Sequence, residues 1–116
     1  MTVVGLHHVS INVSDVSLAC DFYVGRLGLS ARTDRPDFGF AGAWLDAGGQ
    51  QVHLIEGDVP TDQGQHLALH VVDLDAAIAE LRAAGLTVSD AFPVGTGRQA
   101  FLHDPSGNLV ELHQPA

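Results

Sequence analysis

Residues 8–23 read HVSINVSDVSLACDFY, and residues 66–81 read HLALHVVDLDAAIAEL. Each stretch opens on a histidine, alternates aliphatic with other side chains, reaches an aspartate and then changes to a helical spacing. Period two marks a half-buried strand, and period 3.6 an amphipathic helix. The two stretches lie 58 residues apart, half of the 116-residue chain. The same shift sets Val13 on Val71, Asp15 on Asp73, Gly49 on Gly107 and Leu54 on Leu112. It also sets Trp44 on Leu102 and His53 on Glu111. Turn, cap and core positions coincide together, so the chain reads as a duplication of one unit.

Each copy predicts the order β-α-β-β-β. In the first, a strand near 5–13 leads to Asp15, a helix N-cap, and then to a stripe of Leu18, Ala19, Phe22 and Tyr23. In the second, Asp73 caps and Ala77, Ile78 and Leu81 form the stripe. Gly28 and Gly85 suit the helix C-termini. AGAWLDAGGQQVHLIE (41–56) and RQAFLHDPSGNLVELH (98–113) read as hairpins, with DPSG a type I turn. The expected class is therefore α+β, with module one over 1–57 and module two over 64–116 of a single domain. The polar loop EGDVPTDQGQ (56–65) joins them. RTDRPDFGFAG (32–42) is the longest irregular stretch and a candidate mobile flap. Trp44 is expected in the core, since its repeat mate is Leu102.

Composition narrows the function classes. Apolar residues make up 46% of the chain, enough for a core, and no apolar run approaches the roughly 18 residues of a membrane span. The first residues lack the pattern of a secretory leader, so a cytoplasmic protein with no membrane partner is expected. The one cysteine, Cys20, allows no intrachain disulfide. The formal charge is −9 and all five cations are arginines. Without lysine there is no Schiff base and no P-loop, and the acidity makes nucleic acid a poor partner. Seven histidines in so short a chain point to metal chemistry.

Strand parity collects the candidates. If Val9, Ile11 and Val13 face the helix, His8, Ser10 and Asn12 face the other way, and His7 is a structural or exposed bystander. Leu67, Leu69 and Val71 leave His66, Ala68 and His70 on the opposite face. Val52 and Leu54 leave Gln51, His53 and Ile55 there, and Val110 and Leu112 leave Leu109, Glu111 and His113. His8, His53, His66 and Glu111 thus share the non-helix faces, paired by the repeat as His8 with His66 and His53 with Glu111. If the halves meet about a pseudo-twofold axis, three imidazoles and a carboxylate suit one divalent ion: Zn, Ni, Co, Mn or Fe(II).

HHVSINVSD…FYVGRLGL, QHLALHVVDLDAAIAELRAAG and FLHDPSGNLVELHQP together resemble the vicinal oxygen chelate superfamily of glyoxalases, epimerases, extradiol dioxygenases and fosfomycin- and bleomycin-resistance proteins. The resemblance implies paired βαβββ modules forming a cupped, pseudo-twofold mixed sheet with helices on its outer face, often in a homodimer. It implies metal ligands at the start of each module's first strand and the middle of its last, here His8, His53, His66 and Glu111. His53 stands where many relatives carry Glu or Gln. Phe101 stands where dioxygenase and fosfomycin-transferase relatives often carry a tyrosine, and phenylalanine offers no hydrogen bond to substrate.

Three function classes follow. The first is a metal-dependent lyase or isomerase acting on a small molecule that chelates the ion through adjacent oxygens. Glu111, by similarity to glyoxalase I, or His70 would move the proton. The second is an Fe(II) extradiol-type dioxygenase using His8, His66 and Glu111. The third is a bleomycin-resistance-like protein that sequesters a cationic antibiotic, to which the net charge and the aromatics Trp44, Phe38, Phe40 and Phe101 are suited. Phe101, His103, Gln51, Gln99, Arg98 and Asn12 are the candidate substrate-binding residues. His113 is a candidate support for the ligands.

Overall fold

A computed structural model describes residues 1–116. The chain divides into two compact units, Met1–Thr61 and Asp62–Ala116. The first contains β1 (His8–Val13), α1 (Val16–Tyr23), β2 (Ser30–Ala31), β3 (Gly42–Ala47) and β4 (Gln50–Glu56). The second contains β5 (His66–His70), α2 (Leu74–Ala83), β6 (Phe92–Val94), β7 (Gly97–His103) and β8 (Leu109–Gln114). The expected order β-α-β-β-β is present in both. Each unit holds one four-stranded mixed sheet, ordered β1-β4-β3-β2 in the first and β5-β8-β7-β6 in the second. The first strand runs parallel to the last, and the remaining pairs are antiparallel.

Alternation puts one face of each sheet under its helix. In the first unit Val13, Leu45, Val52 and Leu54 are buried with Ala19, Phe22 and Tyr23 of α1. In the second, Ala100, Leu102, Val110 and Leu112 are buried with Leu74, Ile78 and Leu81 of α2. Leu18 departs from the expected stripe and is 53% exposed. Ala19, Phe22 and Tyr23 already fill the i, i+3, i+4 face of a two-turn helix, and Leu18 projects beside that face.

Both caps are made. Asp15 Oδ1 accepts the Leu18 N–H at 3.0 Å, and Asp73 Oδ1 accepts the Ala76 N–H at 3.0 Å. Gly85, at φ +88°, ends α2 in a Schellman arrangement. There the Leu86 N–H reaches the Leu81 carbonyl at 3.1 Å, and the Gly85 N–H reaches Arg82 at 3.0 Å. Gly28 does not sit at the end of α1, which caps at Val24. It turns the chain after a further loop at φ +80°, where the Leu29 N–H bonds the Tyr23 carbonyl at 2.9 Å.

The hairpins break the uniform 58-residue shift. Gly48 and Gly49 alone connect β3 to β4, whereas residues 104–108 connect β7 to β8. In the longer loop the Gly107 N–H bonds the Asp104 carbonyl at 3.0 Å, the turn expected of DPSG. Asp104 Oδ1 accepts the Ser106 and Asn108 N–H groups at 2.8 and 2.9 Å. Strand register therefore sets Trp44 opposite His53 and Phe101 opposite Glu111. Trp44 is the counterpart of Phe101, not of Leu102. It leaves the expected core position to Leu45 and stands half-buried on the other face of the sheet.

Candidate metal and ligand site

In the first unit the open sheet face carries a row of near-parallel rings. His8 and His53 stack with centroids 4.0 Å apart and planes inclined 12°. Trp44 stacks on the other side of His53 at 4.6 Å and 13°. Parallel sheet register brings β1 beside β4 and antiparallel register brings β3 beside β4, so side chains of one parity stand in a row across three strands. Gln51, two residues before His53 and on the same face, lies with Oε1 2.8 Å from His53 Nε2. An amide oxygen accepts only, so His53 donates from Nε2 and keeps its Nδ1 lone pair. His7 Nδ1 lies 2.9 Å from His8 Nδ1, which leaves the His8 Nε2 free. His7 is exposed and touches the row only through His8. Burial, and then the nearby His8, His7, Arg32 and Arg35, hold the His53 imidazole below its ordinary pKa.

Two parallel rings 4.0 Å apart cannot both aim in-plane lone pairs at one ion. Joint ligation by His8 and His53 requires one ring to turn, and the ring not ligating acts as the packing partner of the other.

In the second unit the same face carries a buried carboxylate between two histidines. Glu111 Oε1 lies 3.1 Å from His66 Nε2, and Oε2 lies 3.0 Å from His113 Nδ1. The Glu111 side chain is only 10% exposed. A carboxylate so placed is costly unless paired. His66 Nδ1 lies 2.7 Å from the Gly64 carbonyl oxygen, which only accepts. The ring therefore donates from Nδ1, and a neutral His66 turns the Nε2 lone pair toward the carboxylate. A second proton or a cation between the two atoms satisfies that arrangement. The 3.1 Å separation is that of an ordinary N–H···O hydrogen bond, and it also lets one cation touch both atoms. A backbone carbonyl behind the far nitrogen is the usual support of a metal-binding imidazole. Neither unit by itself gathers three His, Cys, Asp or Glu side chains into a metal-holding group.

The remaining candidates are placed as follows. Phe101 meets the His66 ring edge-on at 5.4 Å and stacks on Phe92 at 6.0 Å. Gln99 lies on the same face, opposite His113 in register. His70 is exposed at the end of β5, also opposite His113. His103 is tied to Asp62 at 3.1 Å. Arg98 has the parity of Ala100 and Leu102, so it faces the helix, where both its terminal nitrogens bind Asp75 at 2.9 and 3.0 Å. Asn12 donates to the Asp58 carbonyl at 2.8 Å and thereby holds the loop after β4. Gln51 contacts a histidine rather than open space. The expected flap at 32–42 is pinned, since Arg32 binds Asp34 and Asp46, and Arg35 lies over Phe38 and Phe40. Sequence reasoning overlooked Arg35 and Phe92. Arg35 sits in an irregular stretch with no parity to follow, and Phe92 in a three-residue strand. The one available signal for Arg35 was its rarity as a cation.

A probable lactoylglutathione lyase of Vibrio cholerae is 29% identical over 121 residues, spanning 92% of this chain and 88% of that protein. A glyoxalase family protein of Bacillus anthracis superposes with a TM-score of 0.90 at 22% identity, covering 100% of this chain and 98% of its own. TnmS3, an antibiotic binding protein from Streptomyces sp. CB03234, superposes with a TM-score of 0.85 at 29% identity, covering 100% of this chain and 99% of its own. The family model described as Glyoxalase/Bleomycin resistance protein/Dioxygenase matches residues 5–112, and the chain belongs to that superfamily.

Proposed function

We propose that this protein is a divalent-metal-dependent lyase or isomerase of the glyoxalase type. Its substrate class is a small molecule with two adjacent oxygens. The ligand set we assign is His8 and His53 of the first unit, with the His8 ring turned out of its stack, and His66 and Glu111 of the second, in a homodimer. The observation that carries the reading is the Glu111–His66 pair, with its 3.1 Å spacing and the His66 Nδ1 anchored on Gly64. The donors, imidazole nitrogen and carboxylate oxygen, fit zinc, nickel, cobalt, manganese or Fe(II). A bound ion of this kind supplies Lewis acidity toward charge developing on the substrate oxygens.

The chain's own groups do the rest. Glu111 takes the substrate proton and returns it, and the contact from His113 Nδ1 to Oε2 holds the carboxylate plane during the transfer. His70 is the alternative base. Gln51 holds the tautomer and plane of His53. Phe101 and Trp44 border the site and limit its water. Because Phe101 has no hydroxyl to offer a substrate oxygen, the dioxygenase reading stands behind the lyase one.

Metal analysis of protein purified without added metal tests the assignment. About one ion per chain is expected, with His66→Ala and His8→Ala losing it and His7→Ala retaining it. Metal-free wild-type protein that also fails to take up zinc, nickel, cobalt, manganese or Fe(II) would remove the reading. A second reading, binding of an aromatic compound without turnover, is favoured by the ring row of the first unit, and the 29%-identical antibiotic binding protein supports it.

A further inference from the structure

Beside the ring row the first unit has a cavity of about 290 Å³. This is close to the lower bound of small-molecule pockets, roughly 300 Å³. Its lining includes His8, His53, Trp44, Phe38, Phe40 and Arg35. One wall is the stacked ladder of His8, His53 and Trp44. Another is the Phe38–Phe40 pair, stacked at 5.7 Å and 19°. His8 and Trp44 cover both faces of His53, so the ladder turns ring edges toward the cavity, and a flat ring can meet them edge to face.

The charge of the cavity is opposite to that of the chain. No aspartate or glutamate lines it, although the protein carries −9 overall. Arg32, Arg82 and Arg98 are each spent on carboxylates of this chain. Arg35 has no carboxylate partner. Its guanidinium lies 5.1 and 5.4 Å from the Phe38 and Phe40 centroids and donates one hydrogen bond, to the Phe40 carbonyl at 3.1 Å. Four of its five N–H groups remain for a ligand. The seat is built in the backbone. A methyl group at Gly42 would lie 2.7 Å from the Arg35 guanidinium and 2.5 Å from the Leu54 carbonyl oxygen, so glycine there makes room for the arginine.

We infer that this cavity binds a planar aromatic acid, its rings against the Trp44–His53–His8 ladder and its anionic group on Arg35. The charge of the lining reverses the cationic ligand expected from net charge alone. The inference deepens the proposed function by naming a substrate class, and it rests on that reading only for turnover, since the binding itself needs no metal.

The test is calorimetric titration of the full chain in excess chelator with 1-hydroxy-2-naphthoate, 9-aminoacridine and cyclohexanecarboxylate. The indole N–H signal of Trp44, the one tryptophan, reports position. Hydroxynaphthoate is expected to bind and to move the Trp44 signal. Aminoacridine and cyclohexanecarboxylate should each bind at least tenfold more weakly. Loss of a charge-assisted hydrogen bond predicts roughly tenfold weaker binding for Arg35→Gln, and Arg35→Lys should recover part of it. Any of four outcomes would overturn the proposal: no hydroxynaphthoate binding, binding that leaves Trp44 unmoved, affinity equal for the acridine, or affinity unchanged in Arg35→Gln. Chelator keeps this result separate from metal uptake, so either assignment can fail alone.

Discussion

At the scale of single residues, His53 shows how burial and neighbours set a side chain's readiness. Its environment disfavours the imidazolium, through burial first and then through His8, His7, Arg32 and Arg35. The folded pKa lies below the ordinary 6.5, so the unfolded chain takes up this proton more readily. The stability linked to His53 is therefore fully present above the unfolded value, and it declines as pH falls from there through the folded value. Urea midpoints measured from pH 8 to pH 5 in chelator should fall with acidity, and His53→Gln should flatten that dependence. A steeper fall in the variant would reverse the sign argued here. The face of this residue was legible beforehand, because Val52 and Leu54 fix strand parity. Its partners were not. Gln51 belongs to the same parity, yet nothing in an alternating pattern says whether a glutamine points to a ligand or to a histidine.

At the scale of elements, the second hairpin depends on Asp104, which is 5% exposed and accepts from Ser106 and Asn108. Removing a buried acceptor leaves its donors unsatisfied, which costs about 1–3 kcal/mol. Asp104→Ala should thus lower stability by about 2 kcal/mol in urea unfolding and disturb the Phe101–Glu111 register. Gly85→Ala should cost about 1 kcal/mol by the same measurement, since φ +88° strains any side chain. A substitution cheaper at Asp104 than at Gly85 would contradict this ranking. These elements also mark the limit of repeat reasoning. The strand-helix alternation, both aspartate caps and the DPSG turn could be read directly from spacing. The rank of Trp44 could not, because a gapless shift hides a difference in hairpin loop length. Each strand keeps its own alternation, but the loop decides which residue of β3 answers which residue of β7.

At the scale of the molecule, each unit has its own core, yet apolar side chains remain uncovered. Val4, Leu6 and Val9 are 98, 77 and 40% exposed. Along β1 burial deepens from Val9 to Val13, which is fully buried, although both share the helix-facing parity. β1 is also an edge of its sheet, with one side of its backbone unpaired. Exposed aliphatic residues on an edge strand and in the segment leading into it are expected to be covered by a partner. No helix here is long and apolar enough to cross a membrane, and a second copy of the chain is the partner the proposed homodimer supplies. Light scattering on the purified protein should give twice the 12.2 kDa chain mass. Val9→Asp places a carboxylate on that edge strand and should shift the mass toward one chain while the far-ultraviolet circular dichroism stays native. If the ligand set is completed only in the dimer, the same variant should also lose metal, although Val9 is no ligand. A monomeric Val9→Asp protein with full metal content would separate assembly from the metal site, and a wild-type monomer holding one ion would remove the homodimer from the proposal.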